Sequence, residues 1–301
     1  MKPSEQKRFD VQYQKHLQAL KLNNFSPTTI DVYARAVRCL VTCTDCPPDR
    51  VTPDQCRAHF SALIDSHSWS TVISDRAGLA FFFKNILDIH WDWNTIVKPK
   101  RVKSLPDVIT YGQVAALLDA TREIRYQSYF LTTYSMGLRL VEALGLEVQD
   151  VDAEQHRVHV RLGKGRKDRY VILPDLTLVA MRRYWATHRN SRLIFPSGVN
   201  AQARFHADKP MSKSGVQRAI KTIALDAGIR TRVSPHTLRH CYATHLLERG
   251  LSLPHIQEQL GHAWVETTLV YTKLTDLAAQ NANTLIKQMI DQLPSKLDAR
   301  G

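Results

Sequence analysis

A mainly helical chain of two domains, with one small antiparallel sheet in the second, is the α+β architecture that three features of this sequence predict. The 301 residues suit two domains. Apolar residues recur at helical spacing behind Ser-Pro and Thr-Pro starts through most of the chain. Period-two alternation is confined to one region, about 151–173.

The first helix covers roughly residues 5–22. Ser26-Pro27 opens the second: the serine hydroxyl can cap an orphan amide, and proline at the first helical position has no amide to leave unpaired. Ile30, Tyr33, Val37, Leu40 and Val41 then fall on one face. Thr52-Pro53 opens a third helix in the same way. A fourth runs from about Ser70 to Leu87, with Leu79, Phe82, Phe83 and Ile86 as core. The segment 94–106, NTIVKPKRVKSLP, is basic, lacks periodicity and carries Pro99 and Pro106, so it reads as a linker. The boundaries expected are a helical domain over 1–95, a linker over 96–106 and a second domain over 107–301. Thr110 caps the next helix, YGQVAALLDA, and a buried helix follows at about 125–136. Arg139 begins a helix that runs to Leu144. Val158, Val160 and Leu162 alternate as a strand and DRYVILP forms another, with GKGRK as the hairpin tip between them. Helices are expected at about 175–187 and 212–227, and residues 197–211 form a loop.

The charge is uneven. Residues 1–100 hold 13 Lys and Arg against 10 Asp and Glu, an excess of +3, and the rest hold 28 against 18, an excess of +10. A basic surface of this size points to nucleic acid. The longest apolar stretch, LAFFF at 79–83, is far too short to span a bilayer. The N-terminus MKPSEQKRFD has no signal-peptide core. A cytoplasmic protein with reduced cysteines is expected. Cys39, Cys43, Cys46 and Cys56 fall within 18 residues, near His59. They lack the paired C-x-x-C spacing of a zinc site, and the reading preferred is of free thiols with no metal.

The stretch Ser234 to Tyr271 concentrates the chemistry. Ser234 and Pro235 start a helix that places His236 and Arg239 one turn apart on one face. Gly250 ends that helix, and Gly261 ends the next, just before His262. Tyr271 follows nine residues after His262. A guanidinium forks onto phosphate oxygens, and a phenol can attack phosphorus. H-x-x-R, then L-G-H, then this tyrosine resembles the tyrosine recombinase (phage integrase) family. Upstream, TYSMGLRLVEALGL carries Arg139 where that family has its first catalytic arginine, and LGKGRKDRYVIL carries Lys164 where it has its hairpin lysine.

The resemblance implies transfer of a DNA phosphodiester onto Tyr271, the nucleophile. Arg139 and Arg239 would stabilise charge on the non-bridging oxygens. Lys164 would protonate the departing 5′ oxygen; Arg166 and Lys167 share its hairpin, and the place within G-K-G picks out Lys164. His236 and His262 would donate to the phosphate or take the phenolic proton, and Glu142 would orient Arg139. Lys98, Lys100, Arg101 and Lys103 of the linker, with Arg166 and Lys167, would contact DNA backbone. The first domain would be a helical core-binding half-clamp. A simple Xer-like recombinase is implied, with no metal or nucleotide cofactor, acting as a homo-tetramer on double-stranded DNA and associated with the nucleoid. The alternative of another class is a catalytically idle DNA-binding relative. Residues 275–293 read as an amphipathic helix, which the resemblance would dock on a neighbouring protomer.

Overall fold

A computed structural model describes residues 1–98, 107–161 and 168–261. The chain divides into two compact units, Met1–Lys103 and Ser104–Gly301. Among the described residues no helix is long and apolar enough to cross a membrane.

The first unit holds α1 (Pro3–Leu22), α2 (Pro27–Thr44), α3 (Pro53–Ser66), α4 (Trp69–Ile86) and the short α5 (Trp93–Ile96). The helix starts follow the cap chemistry. Ser26 Oγ accepts from the Thr29 amide at 3.2 Å. Thr52 Oγ1 accepts from the Gln55 amide at 3.3 Å, while the Gln55 side chain accepts from the Thr52 amide at 2.9 Å. Val37, Leu40, Phe60, Val72, Leu79, Phe82 and Phe83 form the core; each large side chain contributes about 1.5–3 kcal/mol on burial. Ile86 and Tyr33 are only half-buried.

Two segments depart from the sequence reading. Asp92 caps α5, and Trp93, Ile96 and Val97 are buried in the first unit's core, so the first residues assigned to the linker belong to that core. An isolated Ile-Val pair is too short to show a period, which is why it reads as tether. Lys98, the next residue, is exposed. Lys100, Arg101 and Lys103 lie outside the described residues. In the stretch read as loop, Asn200 Oδ1 accepts from the Ala203 amide at 2.8 Å and starts a one-turn helix, Ala201–Phe205.

Cys56 is buried, which pushes its thiol up to about 12, and Cys43 is exposed. Among the described residues no group of three or more His, Cys, Asp or Glu side chains is placed to hold a metal ion. His16 is fully buried against Phe81 and Phe82, with ring centroids 5.8 and 5.1 Å away. Burial lowers its pKa from 6.5 to about 4. The unfolded chain therefore binds the proton first as pH falls. The contribution of neutral His16 is full above about pH 6.5 and is lost as pH drops towards 4, by about 3 kcal/mol. Urea unfolding followed by circular dichroism at pH 7.5 and pH 4.5 should show this loss, and His16→Leu should flatten it. An equal pH slope in the variant would refute the assignment.

In the second unit, α6 (Tyr111–Ala120), α7 (Ile124–Ser135) and α8 (Leu140–Leu144) precede a sheet of β1 (Val151–Asp152), β2 (Arg157–Val160) and β3 (Arg169–Ile172). The strands pair antiparallel in the order β1-β2-β3, with Val158 opposite Val171 and Val160 opposite Arg169. Next come α9 (Asp175–Trp185), α10 (Ala201–Phe205), α11 (Lys213–Asp226), α12 (Pro235–Glu248) and α13 (Leu253–Leu260). This is the mainly helical class with one small antiparallel sheet that was expected.

The helix α12 runs through the middle of this unit. Leu238 and Cys241 sit in the main core with Tyr129, Phe130, Val158, Phe195 and Ile220, while Ala243 packs with Ile256 and Leu260 of α13. The same helix fixes the chain just before α6. The Ile109 amide donates to Cys241 Sγ at 3.3 Å, and the Ile109 carbonyl lies 3.0 Å from His245 Nε2. A carbonyl can only accept, so His245 carries its proton on Nε2. Its Nδ1 then accepts from the Tyr134 hydroxyl at 2.9 Å. This makes His245 a structural residue.

Candidate active site

Ser234 Oγ accepts from the Thr237 amide at 3.1 Å and fixes the start of α12. One turn in, Arg239 points inward and is 1% exposed. Its two terminal nitrogens donate to backbone carbonyls, Gly137 O and Leu260 O, both at 2.7 Å. Gly137 makes the turn between α7 and α8 at φ +58°, and a Cβ there would lie 2.4 Å from the Tyr242 ring. A left-handed conformation with no room for a side chain leaves glycine as the fitting residue.

Arg139 is the N-cap of α8. Its amide donates to Glu142 Oε2 at 2.9 Å, its guanidinium to Glu142 Oε1 at 2.5 Å and to Gly261 O at 3.1 Å. Glu142 is thus at once a capping-box acid and the counter-charge of Arg139. Arg239 Nη1 also lies 3.7 Å from Glu142 Oε2.

A residue that the sequence reading did not single out completes the cluster. Arg169, the first residue of β3, places two nitrogens on the two Glu142 oxygens at 3.1 and 2.8 Å, and its Nε donates to Gln259 O at 3.0 Å. Its side chain is only 10% exposed. The signal that could have found it is register: Arg169 is in phase with Val171 and Leu173, on the face that points into the core. A charge there requires a partner.

Three guanidiniums therefore meet one carboxylate among the described residues, leaving two positive charges in a mostly enclosed site. Burial alone would raise the Glu142 pKa. The hydrogen bond and charge of Arg169, with the Arg139 amide and guanidinium, overcome this and hold it down to about 2. Glu142 is ionised at any ordinary pH. The three arginines also donate to three consecutive carbonyls, Gln259, Leu260 and Gly261, at the C-terminal end of α13. That end carries the negative pole of the helix dipole and its orphan acceptors. Gly261 takes the left-handed cap at φ +61°, where a Cβ would come within 2.8 Å of Arg169 Cδ.

His236 lies at the solvent-facing start of α12, one turn before Arg239. Desolvation by the surrounding protein, then the charges of Arg239 and Arg139, lower its pKa. Its ring stands edge-on to His240, 4.6 Å between centroids. The structure thus brings Arg139, Glu142, Arg239 and His236 to one site. Lys164, Arg166, Lys167, His262 and Tyr271 lie outside the described residues, as does the segment 275–293. The chain leads into His262 directly from the clamped end of α13, and into Lys164 from the β2–β3 hairpin that carries Arg169. Such a site can bind an anion through fixed donors and spare positive charge.

Comparison with known proteins identifies relatives of the chain. A putative integrase/recombinase, y4qK, of Sinorhizobium fredii is 30% identical over 258 residues, covering 85% of this chain and 82% of that protein. Tyrosine recombinase XerC of Halalkalibacterium halodurans is 37% identical over 185 residues, 59% of this chain and 61% of that protein. In fold, the chain is similar to a lambda integrase (75-356) dimer bound to a COC′ core site, with a TM-score of 0.71 at 15% identity over 87% of this chain and 94% of that one. Residues 13–93 match the phage integrase N-terminal SAM-like domain, and residues 107–277, which hold the arginine cluster and the motif positions on either side of it, match the phage integrase family. The chain belongs to that family, the tyrosine recombinases.

Proposed function

We propose that this protein is a site-specific DNA recombinase that cuts and rejoins strands through a covalent 3′-phosphotyrosyl intermediate. The observation that carries this reading is the convergence of Arg139, Arg239 and His236 around Glu142, with a surplus of positive charge and with the chain running on from α13 to His262 and Tyr271. In this reading the Tyr271 phenol attacks the scissile phosphate. Arg139 and Arg239 stabilise the charge that develops on the non-bridging oxygens. His236, neutral near pH 7, and His262 donate to the phosphate or take the phenolic proton, and Lys164 protonates the departing 5′ oxygen. The new phosphodiester to tyrosine keeps the energy of the old one, so a 5′ hydroxyl from another strand can reverse the step without a nucleotide.

The partner in this reading is double-stranded DNA carrying a recombination site, and four protomers bring two such sites together for strand exchange. The linker lysines and arginine and the hairpin residues Arg166 and Lys167 contribute phosphate contacts. The test is a nicked duplex from which the short fragment bearing the freed 5′ hydroxyl is lost after cleavage, so that religation fails. A protein-linked strand that resists denaturation supports the reading. DNA binding with no such adduct would favour the idle DNA-binding relative instead.

A further inference from the structure

Arg169 has no role in the reading above, yet it is bound to the centre of the cluster. It grips both oxygens of Glu142, at 3.1 and 2.8 Å, and the Gln259 carbonyl at 3.0 Å. Glu142 in turn holds the amide and guanidinium of Arg139. The Gln259 side chain extends the same link: its Oε1 accepts from the Ile172 amide of β3 at 3.2 Å. The strand that leads out of the hairpin, the acid beside the first arginine and the last turn of α13 therefore share one residue.

We propose that Arg169 is a positioning residue for strand cleavage, which rests on the reaction proposed above. Its role is electrostatic as well as steric. Glu142 carries a full negative charge within the site, and Arg169 satisfies both of its oxygens. Arg139 is thereby left in contact with one oxygen by its guanidinium, and its remaining capacity can turn to a phosphate. Without Arg169, the carboxylate has, among the described residues, only Arg139 and the more distant Arg239 as counter-charges. It draws Arg139 onto itself, and it opposes the negative charge that builds on the scissile phosphate during cleavage. The Gln259 carbonyl also loses its donor, so the turn that precedes His262 keeps two of its three arginine contacts.

The sign of a second substitution is therefore informative. If Arg169 only fills space, adding Glu142→Gln to Arg169→Met makes the protein worse. If Arg169 neutralises Glu142, removing the negative charge releases Arg139 and restores part of the rate. The experiment is single-turnover adduct formation on the nicked duplex at saturating DNA, with DNA affinity measured in parallel. Arg169→Met should slow adduct formation by about 100-fold, the cost of losing one fixed donor arrangement, with DNA affinity unchanged because the side chain is enclosed. Arg169→Lys, which keeps the charge but not the fork, should fall between the two. The double variant Arg169→Met with Glu142→Gln should be faster than Arg169→Met by about tenfold, a coupling usual for groups in direct contact. If Arg169→Met does not fold, Arg169→Lys alone and with Glu142→Gln carries the same comparison. Single variants that cleave at the parent rate, or a double variant no faster than the single, overturn the assignment. Failure of the unaltered protein to form any adduct overturns the proposed reaction itself, and this assignment with it.

Discussion

Tyr271→Phe is expected to abolish the covalent protein–DNA adduct completely while leaving DNA binding intact. The substitution removes one oxygen, the atom that would form the bond to phosphorus, and keeps the ring. The arginines that would hold the phosphate in the proposed reaction are Arg139, at the start of α8, and Arg239, on α12, and the substitution leaves both in place. Half-site affinity in a gel-shift assay should therefore match that of the parent, with no protein-linked strand after denaturation. An adduct that persists in the variant, mapped by peptide sequencing to another side chain, would remove Tyr271 from the mechanism.

Arg239→Met should be the most damaging single change among the described residues. Arg239 is 1% exposed and bridges Gly137 O and Leu260 O. Methionine fills much of the volume but leaves both carbonyls buried without these donors. It also strips Glu142 of one of its three neighbouring guanidiniums. Breaking a buried charged network in this way costs about 3–5 kcal/mol. Loss of a phosphate donor would add a fall in cleavage of at least about 100-fold. Arg239→Lys can reach one carbonyl and not both, and should be intermediate in stability. Urea unfolding and the adduct assay read the two effects separately. A methionine variant as stable as the parent would mean that the bridge between Gly137 and Leu260 contributes little.

Much of this was legible in the sequence because the signals are local. Ser26, Thr52, Thr110 and Ser234 each announce a helix start, and each caps one in the structure. Arg139 and Arg239 were legible because they stand within motifs of a few residues. Arg169 was not, since its importance depends on a strand register and on a carbonyl 90 residues away. The departures share this cause. Ile96 and Val97 read as tether because burial in a core built by α2 to α4 is not written in their neighbours. His245 and Cys241 are similar: what they hold, Ile109, lies 136 and 132 residues earlier in the chain.

The three guanidinium contacts to the end of α13 carry a consequence for how the molecule is made. Arg169, Arg239 and Arg139 reach carbonyls 90, 21 and 122 residues further along the chain. A nascent chain that has not yet emerged past Gln259 holds all three arginines and none of these acceptors. Two of the three closures span about a hundred residues, and contacts of that separation reward the chain only after the intervening loop entropy has been met. The cluster is accordingly a late event in folding, completed only when the C-terminal side of the second unit is in place. Synthesis order would thus act as a safety catch for the proposed reaction: a partly made protein carries its basic residues before the arginine cluster that cleavage would need has formed.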